Sequence, residues 1–208
     1  MKPTLFHAPD SRSCAARILL EELGIDYELH VLNLKQEQQR DPAYLAVNPM
    51  GKVPAIVHDG ALITEQPAIF IYLADRFPQA GLAPALDDPL RGPYLRWLAF
   101  YGSSFEPAVF DLAMKRPPAP PALCPYRDFD TMLATFTAPL RAGPYLLGER
   151  FSAADILWGS ALHWMTAFGL VPKLPEIVAY VERVASRPAA RKAAADDAAL
   201  SKAQAAAQ

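Results

Sequence analysis

The chain has 208 residues, of which 52% are hydrophobic and 20% charged, and its formal net charge at pH 7 is −2. This composition is typical of a globular protein with one large domain or two small ones, and it argues against a disordered chain. The charge balance argues against nucleic-acid binding, which requires a clustered excess of Lys and Arg. No apolar run approaches the roughly 20 residues that span a bilayer, and no signal-peptide pattern opens the chain. We therefore expect a cytoplasmic protein that has no membrane partner.

The cysteines and histidines give no indication of a metal or redox centre. Cys14 and Cys124 lie far apart and form no C-x-x-C pair, which argues against a disulfide framework and a metal cluster. Each fits the interpretation of a small buried hydrophobic residue. The histidines are scattered, so the sequence predicts no metal site; they are His7, His30, His58 and His163.

The first part of the chain predicts a βαβ unit. Residues 4–7 have the pattern of a short strand, and from Ser11 the apolar residues take helical spacing as far as Gly24, a residue that commonly ends helices. Residues 27–32 predict a second strand after a short connection. Because strand, helix and strand follow one another closely, we expect the two strands to be parallel.

The next segment predicts a ββα unit. Residues 53–57 and 61–63 have strand patterns, and Asp59-Gly60 between them is a strong signal for a hairpin turn. A helix follows, with Pro67 in its first turn. The order βαβ and then ββα within residues 1–78 is that of an α/β, thioredoxin-like domain.

The second part of the chain predicts helices only. Residues 79–88 have the composition of a linker, and no convincing strand follows, so we expect residues 89–208 to form an all-α helical bundle domain. Ser152 and Asp155 resemble a capping box, with Asp in place of the usual Glu. The helix after them is apolar nearly all round and should be the buried centre of the bundle. The alanine-rich end after Pro188 predicts a weaker helix or a frayed tail.

Five stretches, in this order and at these spacings, resemble the cytosolic glutathione transferase family, and the match covers nearly the whole chain. They are SRSCAARILLEELG at 11–24, NPMGKVP at 48–54, ITEQPAI at 63–69, IYLADR at 71–76 and FSAADI at 151–156. The first stretch is similar to the active site of bacterial, serine-type members. The resemblance implies a glutathione-binding first domain, a second domain that shapes the electrophile pocket, glutathione as co-substrate, and a homodimer.

The residues also give an independent reason for an anion site in the first domain. A helix N-terminus offers free N–H groups and partial positive charge, and this domain has two such ends, at Ser11 and at Glu65. The first could receive the thiolate of glutathione and the second its γ-glutamyl end. The resemblance further implies that Val53, before a cis Pro54, pairs with the cysteinyl backbone. Together with the candidate cations, the predicted glutathione-binding set is Ser11, Arg12, Ser13, Lys35, Lys52, Val53, Pro54, Glu65 and Gln66.

Ser11 is the predicted catalytic residue, as the hydroxyl that stabilises the thiolate. Lowering a thiol pKa from about 8.5 to about 6.5 requires roughly 2.7 kcal/mol. A helix end supplies about 0.3–1 kcal/mol and a hydrogen bond to a charged group roughly 1.5–3 kcal/mol, so the two together suffice. Ser11 matches the position of the catalytic serine in the serine-type classes. Ser13 and the backbone N–H groups near Arg12 stay open as alternatives.

Two positions bear on this choice. Cys14 could form a mixed disulfide with glutathione, as cysteines do in other classes of the family, but we expect it in the first helical turn, facing the core. Gln66 stands where the family commonly has Ser. It keeps the backbone N–H, but a longer side chain then meets the γ-glutamyl carboxylate.

The expected reaction is conjugation of glutathione to a small hydrophobic electrophile, as in detoxification. Aromatic residues at helical spacing form a core more often than a pocket, yet the candidates for the electrophile pocket are Ala8, Pro9, Tyr101, Phe105 and Met114. Two other functions stay open. One is the glutathione-dependent reduction of disulfides or peroxides, and the other is a non-enzymatic binding protein with the same fold.

Overall fold

A computed structural model describes residues 1–117 and 119–206, so Pro118 and the last two residues of the predicted second domain lie outside it. The chain divides into two compact units. The first comprises Met1–Ala80 together with the chain from Ser186 onward, and the second is Gly81–Ala185. The predicted division differs from this at the C-terminal end, because the last helix packs on the first unit.

The first unit contains one sheet of four strands, β1 (Thr4–His7), β2 (Glu28–Val31), β3 (Ala55–His58) and β4 (Ala61–Ile63). Their order in the sheet is β2-β1-β3-β4. Strands β1 and β2 are parallel, as the βαβ pattern predicts, while β1 with β3 and β3 with β4 are antiparallel. Asp59 and Gly60 both have positive φ, 50° and 79°, in the tight turn that the sequence predicts between the last two strands. The predicted thioredoxin-like arrangement is therefore confirmed.

Most of the remaining regular structure is helical. A π-helical turn at Tyr101–Phe105 joins two helices of the second unit into one long element. In chain order the helices are α1 (Ser13–Leu23), α2 (Pro42–Leu45), α3 (Gln66–Arg76), α4 (Arg91–Phe100), α5 (Glu106–Ala113), α6 (Phe129–Ala142), α7 (Ala153–Ala167), α8 (Pro175–Ala185) and α9 (Pro188–Ala206).

The alanine-rich C-terminal segment is the 19-residue helix α9 rather than a frayed tail. It packs along α1, and its small residues Ala190 and Ala193 are buried in that contact layer. The first unit therefore owes part of its core to residues from the C-terminal part of the chain.

Helix α1 ends as the sequence predicts. Gly24, which follows it, has a φ of 64°, the left-handed conformation that ends helices.

The second unit is built around α7, which confirms the prediction of a buried central helix. The ring of Trp158 stacks on Phe136, with centroids 4.2 Å apart, and its indole N–H donates to the carbonyl of Trp97 at 3.0 Å. The capping box of Ser152 and Asp155 is present. Within the described residues of this unit, the only β structure is a pair of isolated bridges at 145–150.

Two residues predicted for the electrophile pocket belong to this core. Tyr101 is 2% exposed and Phe105 is 0% exposed. Both rings pack against Trp158, with centroid distances of 5.6 and 4.6 Å. Because a side chain without exposed surface cannot touch a ligand, the packing supports the core interpretation of this aromatic stripe. In the described part of the chain, none of the helices is long and apolar enough to cross a membrane.

Candidate functional site

The loop between β1 and α1 places Ser11 just before the N-terminal end of α1. Its hydroxyl donates to the carbonyl of Ala8 at 2.7 Å and lies 2.7 Å from the hydroxyl of Ser13. Ser11 is half-buried, whereas Ser13 is fully buried. A ligand at the helix end could therefore reach the hydroxyl of Ser11 but not that of Ser13.

The hydroxyl of Ser13 is engaged within the protein. It accepts the backbone N–H of Ala8 at 3.0 Å and lies 2.9 Å from Nδ1 of His7. Ser13 also begins helix α1, so it lies one step inside the helix rather than capping it. These contacts leave Ser11 as the better placed of the two serines for a thiolate.

Cys14 occupies an unfavourable environment for a nucleophile. Its thiol donates to the carboxylate of Asp197 at 2.6 Å. Burial raises the pKa of this thiol to about 12, and the negative charge of Asp197 acts in the same direction. Since the thiolate is the reactive form of cysteine, this environment opposes a mixed disulfide at Cys14.

We predict that Cys14 stays unmodified when the native protein is incubated with oxidised glutathione at pH 8. At a pKa of about 12, only about one thiol in 10⁴ is ionised at that pH. Mass spectrometry of tryptic peptides measures the modification, and protein unfolded in urea is the control, in which Cys14 should react. A mixed disulfide at Cys14 in the folded protein would show that this environment does not suppress its reactivity.

The second helix end, at the start of α3, is tied to the first. Gln66 is the first residue of α3, and its side-chain amide donates to the carbonyl of Arg12 at 3.0 Å. The side chain of Gln66 therefore serves an internal contact, while its backbone N–H lies in the first helical turn, where no intrahelical partner exists. Ser11, Arg12, Ser13 and Gln66 are thus brought together by the structure.

Glu65, immediately before α3, has a φ of 62° and a ψ of 118°. A non-glycine residue adopts such a backbone conformation only where the surroundings hold it there, and such residues cluster at ligand sites. The conformation is consistent with a binding role for Glu65 at this helix end.

The Val53–Pro54 peptide bond is cis, which confirms the expectation from the family resemblance. The carbonyl of Lys52, just before it, accepts hydrogen bonds from the hydroxyl of Tyr44 at 2.5 Å and the amide of Asn48 at 2.8 Å. The backbone that leads into the cis bond is therefore held by two side chains. The side chains of Lys35 and Lys52 are exposed, and their contact with a ligand stays a prediction.

The remaining pocket candidates fall in different surroundings. Ala8 and Pro9 are buried in the loop that carries Ser11, and Met114, at the end of α5, is 66% exposed. A role for these three residues in binding an electrophile stays a prediction. In the part of the chain that the structure describes, no group of three or more His, Cys, Asp or Glu residues could hold a metal ion.

The sequence did not reveal a buried polar cluster behind the loop. Nε2 of His7 lies 3.1 Å from Oδ1 of Asp197, off the line of a hydrogen bond. Arg17 donates to the same oxygen at 2.8 Å and to Asp196 at 2.9 Å. The alternation of residues along β1 could have indicated this cluster. It places His7 on the buried face of the strand with Leu5, where a histidine needs a polar partner.

Asp197 stays ionised in this cluster. Burial alone would raise the pKa of its carboxyl, but the nearby ring of His7 and the hydrogen bonds from Cys14 and Arg17 outweigh burial and hold the pKa below its usual value. A negative charge therefore lies behind the loop that carries Ser11.

Comparison with known proteins agrees with the geometry. Residues 1–75 match the family model of the glutathione S-transferase N-terminal domain, and residues 126–188 match that of the C-terminal domain. The chain is similar to glutathione S-transferase GstA of Escherichia coli O157:H7, with 32% identity over 189 residues that cover 88% of this chain and 93% of that protein.

Two solved structures extend the similarity to three dimensions. One is a glutathione transferase from Methylococcus capsulatus, with 32% identity, a TM-score of 0.78 and coverage of 94% of this chain and 98% of that one. The other is a sphingomonad glutathione S-transferase complexed with glutathione, with 34% identity, a TM-score of 0.76 and coverage of 94% and 98%. The chain therefore belongs to the glutathione S-transferase family.

Proposed function

We propose that the first unit binds glutathione across its two helix ends and that the hydroxyl of Ser11 stabilises the thiolate for attack on a small hydrophobic electrophile. The observation that carries this proposal is the position of Ser11. It presents a half-buried hydroxyl at the N-terminal end of α1, where the helix dipole also favours an anion.

The other residues of the site would bind the peptide part of glutathione. The backbone of Val53 would pair with the cysteinyl backbone of glutathione, and Glu65 and the N–H of Gln66 would receive its γ-glutamyl end. The side chain of Gln66 supports this arrangement from behind, because its bond to Arg12 fixes one helix end to the other. The cations near the carboxylates of the peptide would be Arg12, Lys35 and Lys52.

Thiolate stabilisation requires the hydroxyl of Ser11 to change its acceptor from the carbonyl of Ala8 to the sulfur. A hydrogen bond to a charged acceptor is worth roughly 1.5–3 kcal/mol, more than one to a neutral carbonyl, so the exchange is favourable. The thiolate then forms a bond to the electrophilic carbon, which loses its leaving group with the bonding electrons. The protein contributes proximity and a larger ionised fraction of the thiol.

We further propose that the enzyme is a homodimer in the cytoplasm. Met50 and Leu62 in the first unit are 68% and 45% exposed, and exposed apolar residues are what a dimer interface would cover. The half-buried thiol of Cys14, with its pKa raised to about 12, argues against disulfide exchange at this residue.

Calorimetric titration with glutathione tests the proposal, with S-methylglutathione as the matched ligand that lacks an ionisable thiol. We expect saturable binding of both ligands, and release of about 0.7 of a proton for glutathione alone when buffers of different ionisation enthalpy are compared near pH 7, since the thiol pKa falls from about 8.5 to about 6.5 on binding. Glu65→Ala should weaken both ligands by about tenfold, or about 1.4 kcal/mol. Absence of binding at millimolar glutathione would instead favour the non-enzymatic alternative.

A further inference from the structure

One peptide unit joins the first residue of α3 to the hydroxyl of Ser11. The carbonyl of this unit belongs to Arg12 and accepts the side-chain amide of Gln66 at 3.0 Å. Its N–H belongs to Ser13 and donates to the hydroxyl oxygen of Ser11 at 3.2 Å. Because a peptide unit is planar and rigid, a group that fixes the direction of the carbonyl also fixes the direction of the N–H. Gln66 therefore acts on Ser11 through a single rigid group.

The bond from the N–H of Ser13 holds the oxygen of Ser11 in place. Ser13 is the first residue of α1, and the N–H groups of a first helical turn have no acceptor within the helix. A hydroxyl can accept a hydrogen bond with a lone pair and still donate its one proton. The bond from Ser13 thus fixes the hydroxyl of Ser11 and leaves its proton able to turn to a ligand. Accepting this bond also polarises the hydroxyl, which strengthens it as a donor.

The side chain of Gln66 is placed to act within the protein rather than on a ligand. The residue is only 8% exposed, so its side chain offers little surface to glutathione. A carbonyl can only accept, so the amide of Gln66 must turn its NH₂ group toward Arg12. The same carbonyl also accepts the backbone N–H of Ala15, at the longer distance of 3.3 Å.

The length of the side chain at position 66 decides whether this contact forms. Gln66 stands where the family commonly has Ser, and a serine hydroxyl ends much closer to the main chain. Serine at this position would therefore leave the carbonyl of Arg12 without its side-chain donor. The backbone N–H of residue 66, which is available to the γ-glutamyl end of glutathione, would be the same in both cases.

We propose that Gln66 is a positioning residue for the conjugation reaction. Its amide holds the peptide unit between Arg12 and Ser13 so that the hydroxyl of Ser11 stays directed at the bound thiolate. The inference rests on the proposed role of Ser11. It gives the side chain of Gln66 a part in activating the thiol, while binding of the γ-glutamyl end falls to Glu65 and to the backbone N–H of Gln66.

Gln66→Ser tests the inference, with Gln79→Ser as the matched control. Gln79 is exposed and lies beyond the other end of α3. We expect Gln66→Ser to raise the thiol pKa of bound glutathione by about one unit, from about 6.5, which lowers the ionised fraction and kcat at pH 7 about threefold. The affinity for S-methylglutathione should change less than about twofold, and Gln79→Ser should leave all three quantities as in the wild type.

Two results for Gln66→Ser would overturn the inference. One is an unchanged thiol pKa of the bound glutathione. The other is a loss of affinity for S-methylglutathione of about tenfold or more, because Gln66 would then bind the peptide itself.

Gln66→Met separates the loss of the donor from the change in side-chain size. It keeps a long side chain in this buried position but has no N–H group, so its thiol pKa should match that of Gln66→Ser. Retained binding of S-methylglutathione shows that each variant is folded. A wild-type thiol pKa in Gln66→Met would show that the hydrogen bond to Arg12 has no part in activation, and the inference would fail.

Ser11→Ala, alone and combined with Gln66→Ser, separates this inference from the proposed function. If Gln66 acts through Ser11, Gln66→Ser should raise the thiol pKa by less than about 0.3 units once the hydroxyl is absent. A full further rise would overturn the inference. If Ser11→Ala alone leaves the thiol pKa unchanged, the proposed role of Ser11 fails. If Ser11→Ala raises the thiol pKa and Gln66→Ser does not, only the positioning role fails.

Discussion

Replacing Ser11 with Ala is expected to lower kcat/KM for the conjugation of glutathione with an activated aryl chloride well over tenfold. The lost interaction is a hydrogen bond to the thiolate, worth roughly 1.5–3 kcal/mol, and each 1.4 kcal/mol corresponds to about a tenfold change in rate. Steady-state kinetics at pH 7 measures the effect. It should fall on kcat more than on the KM for glutathione, because the contacts that hold the peptide remain.

Ser11→Thr is the control for this experiment, since it keeps a hydroxyl at the same carbon. It should retain more activity than Ser11→Ala. If Ser11→Ala matched the wild type, thiolate stabilisation would pass to the backbone N–H groups near Arg12. Ser13 could not take the role directly, because it is fully buried.

Asp155→Ala should destabilise the second unit by about 3–5 kcal/mol. The buried carboxylate accepts the N–H of Leu146 at 2.9 Å, the N–H and hydroxyl of Ser152 at 2.8 and 3.0 Å, and the hydroxyl of Tyr180 at 3.0 Å. Removing it leaves four donors without an acceptor in a region closed to water, and it also removes the cap of the central helix α7. Urea unfolding measures the loss of stability.

Tyr180→Phe is the matched control, because it removes only one of those donors and keeps the ring. It should lower the free energy of unfolding by about 1 kcal/mol. A loss for Asp155→Ala no larger than that for Tyr180→Phe would contradict the view that this carboxylate organises the start of α7.

The features that the sequence predicts correctly are those determined by interactions between residues close together in the chain. Asp59-Gly60 predicts its hairpin because few residues tolerate positive φ at two successive positions. Gly24 ends α1 for a similar reason, and the capping box of Ser152 and Asp155 needs only residues three positions apart. In each case the residues that decide the conformation are neighbours in the sequence.

The unpredicted features depend on residues far apart in the chain. The position of α9 depends on its fit against α1, which periodicity within α9 does not encode. Tyr101 and Phe105 have the same spacing whether they line a pocket or fill a core, and the aromatic rings that they contact in the core lie on other helices.

In the candidate site, too, the positions of residues along the chain were predictable and the directions of their side chains were not. The sequence placed Ser11 and Glu65 at helix ends, since helix starts have local signals. It did not indicate that Ser13 points inward to His7 or that the amide of Gln66 bonds to Arg12. The direction of a side chain depends on the groups that fold around it, and these come from other elements of the unit.

The ultraviolet absorbance of the glutathione thiolate, recorded for the bound ligand from pH 5 to pH 9, tests the central claim most directly. We expect an apparent thiol pKa about two units below that of free glutathione, from the combined effect of a hydroxyl and a helix end. Saturable binding with the thiol pKa of free glutathione would contradict it, because the site would then hold the peptide without activating its sulfur.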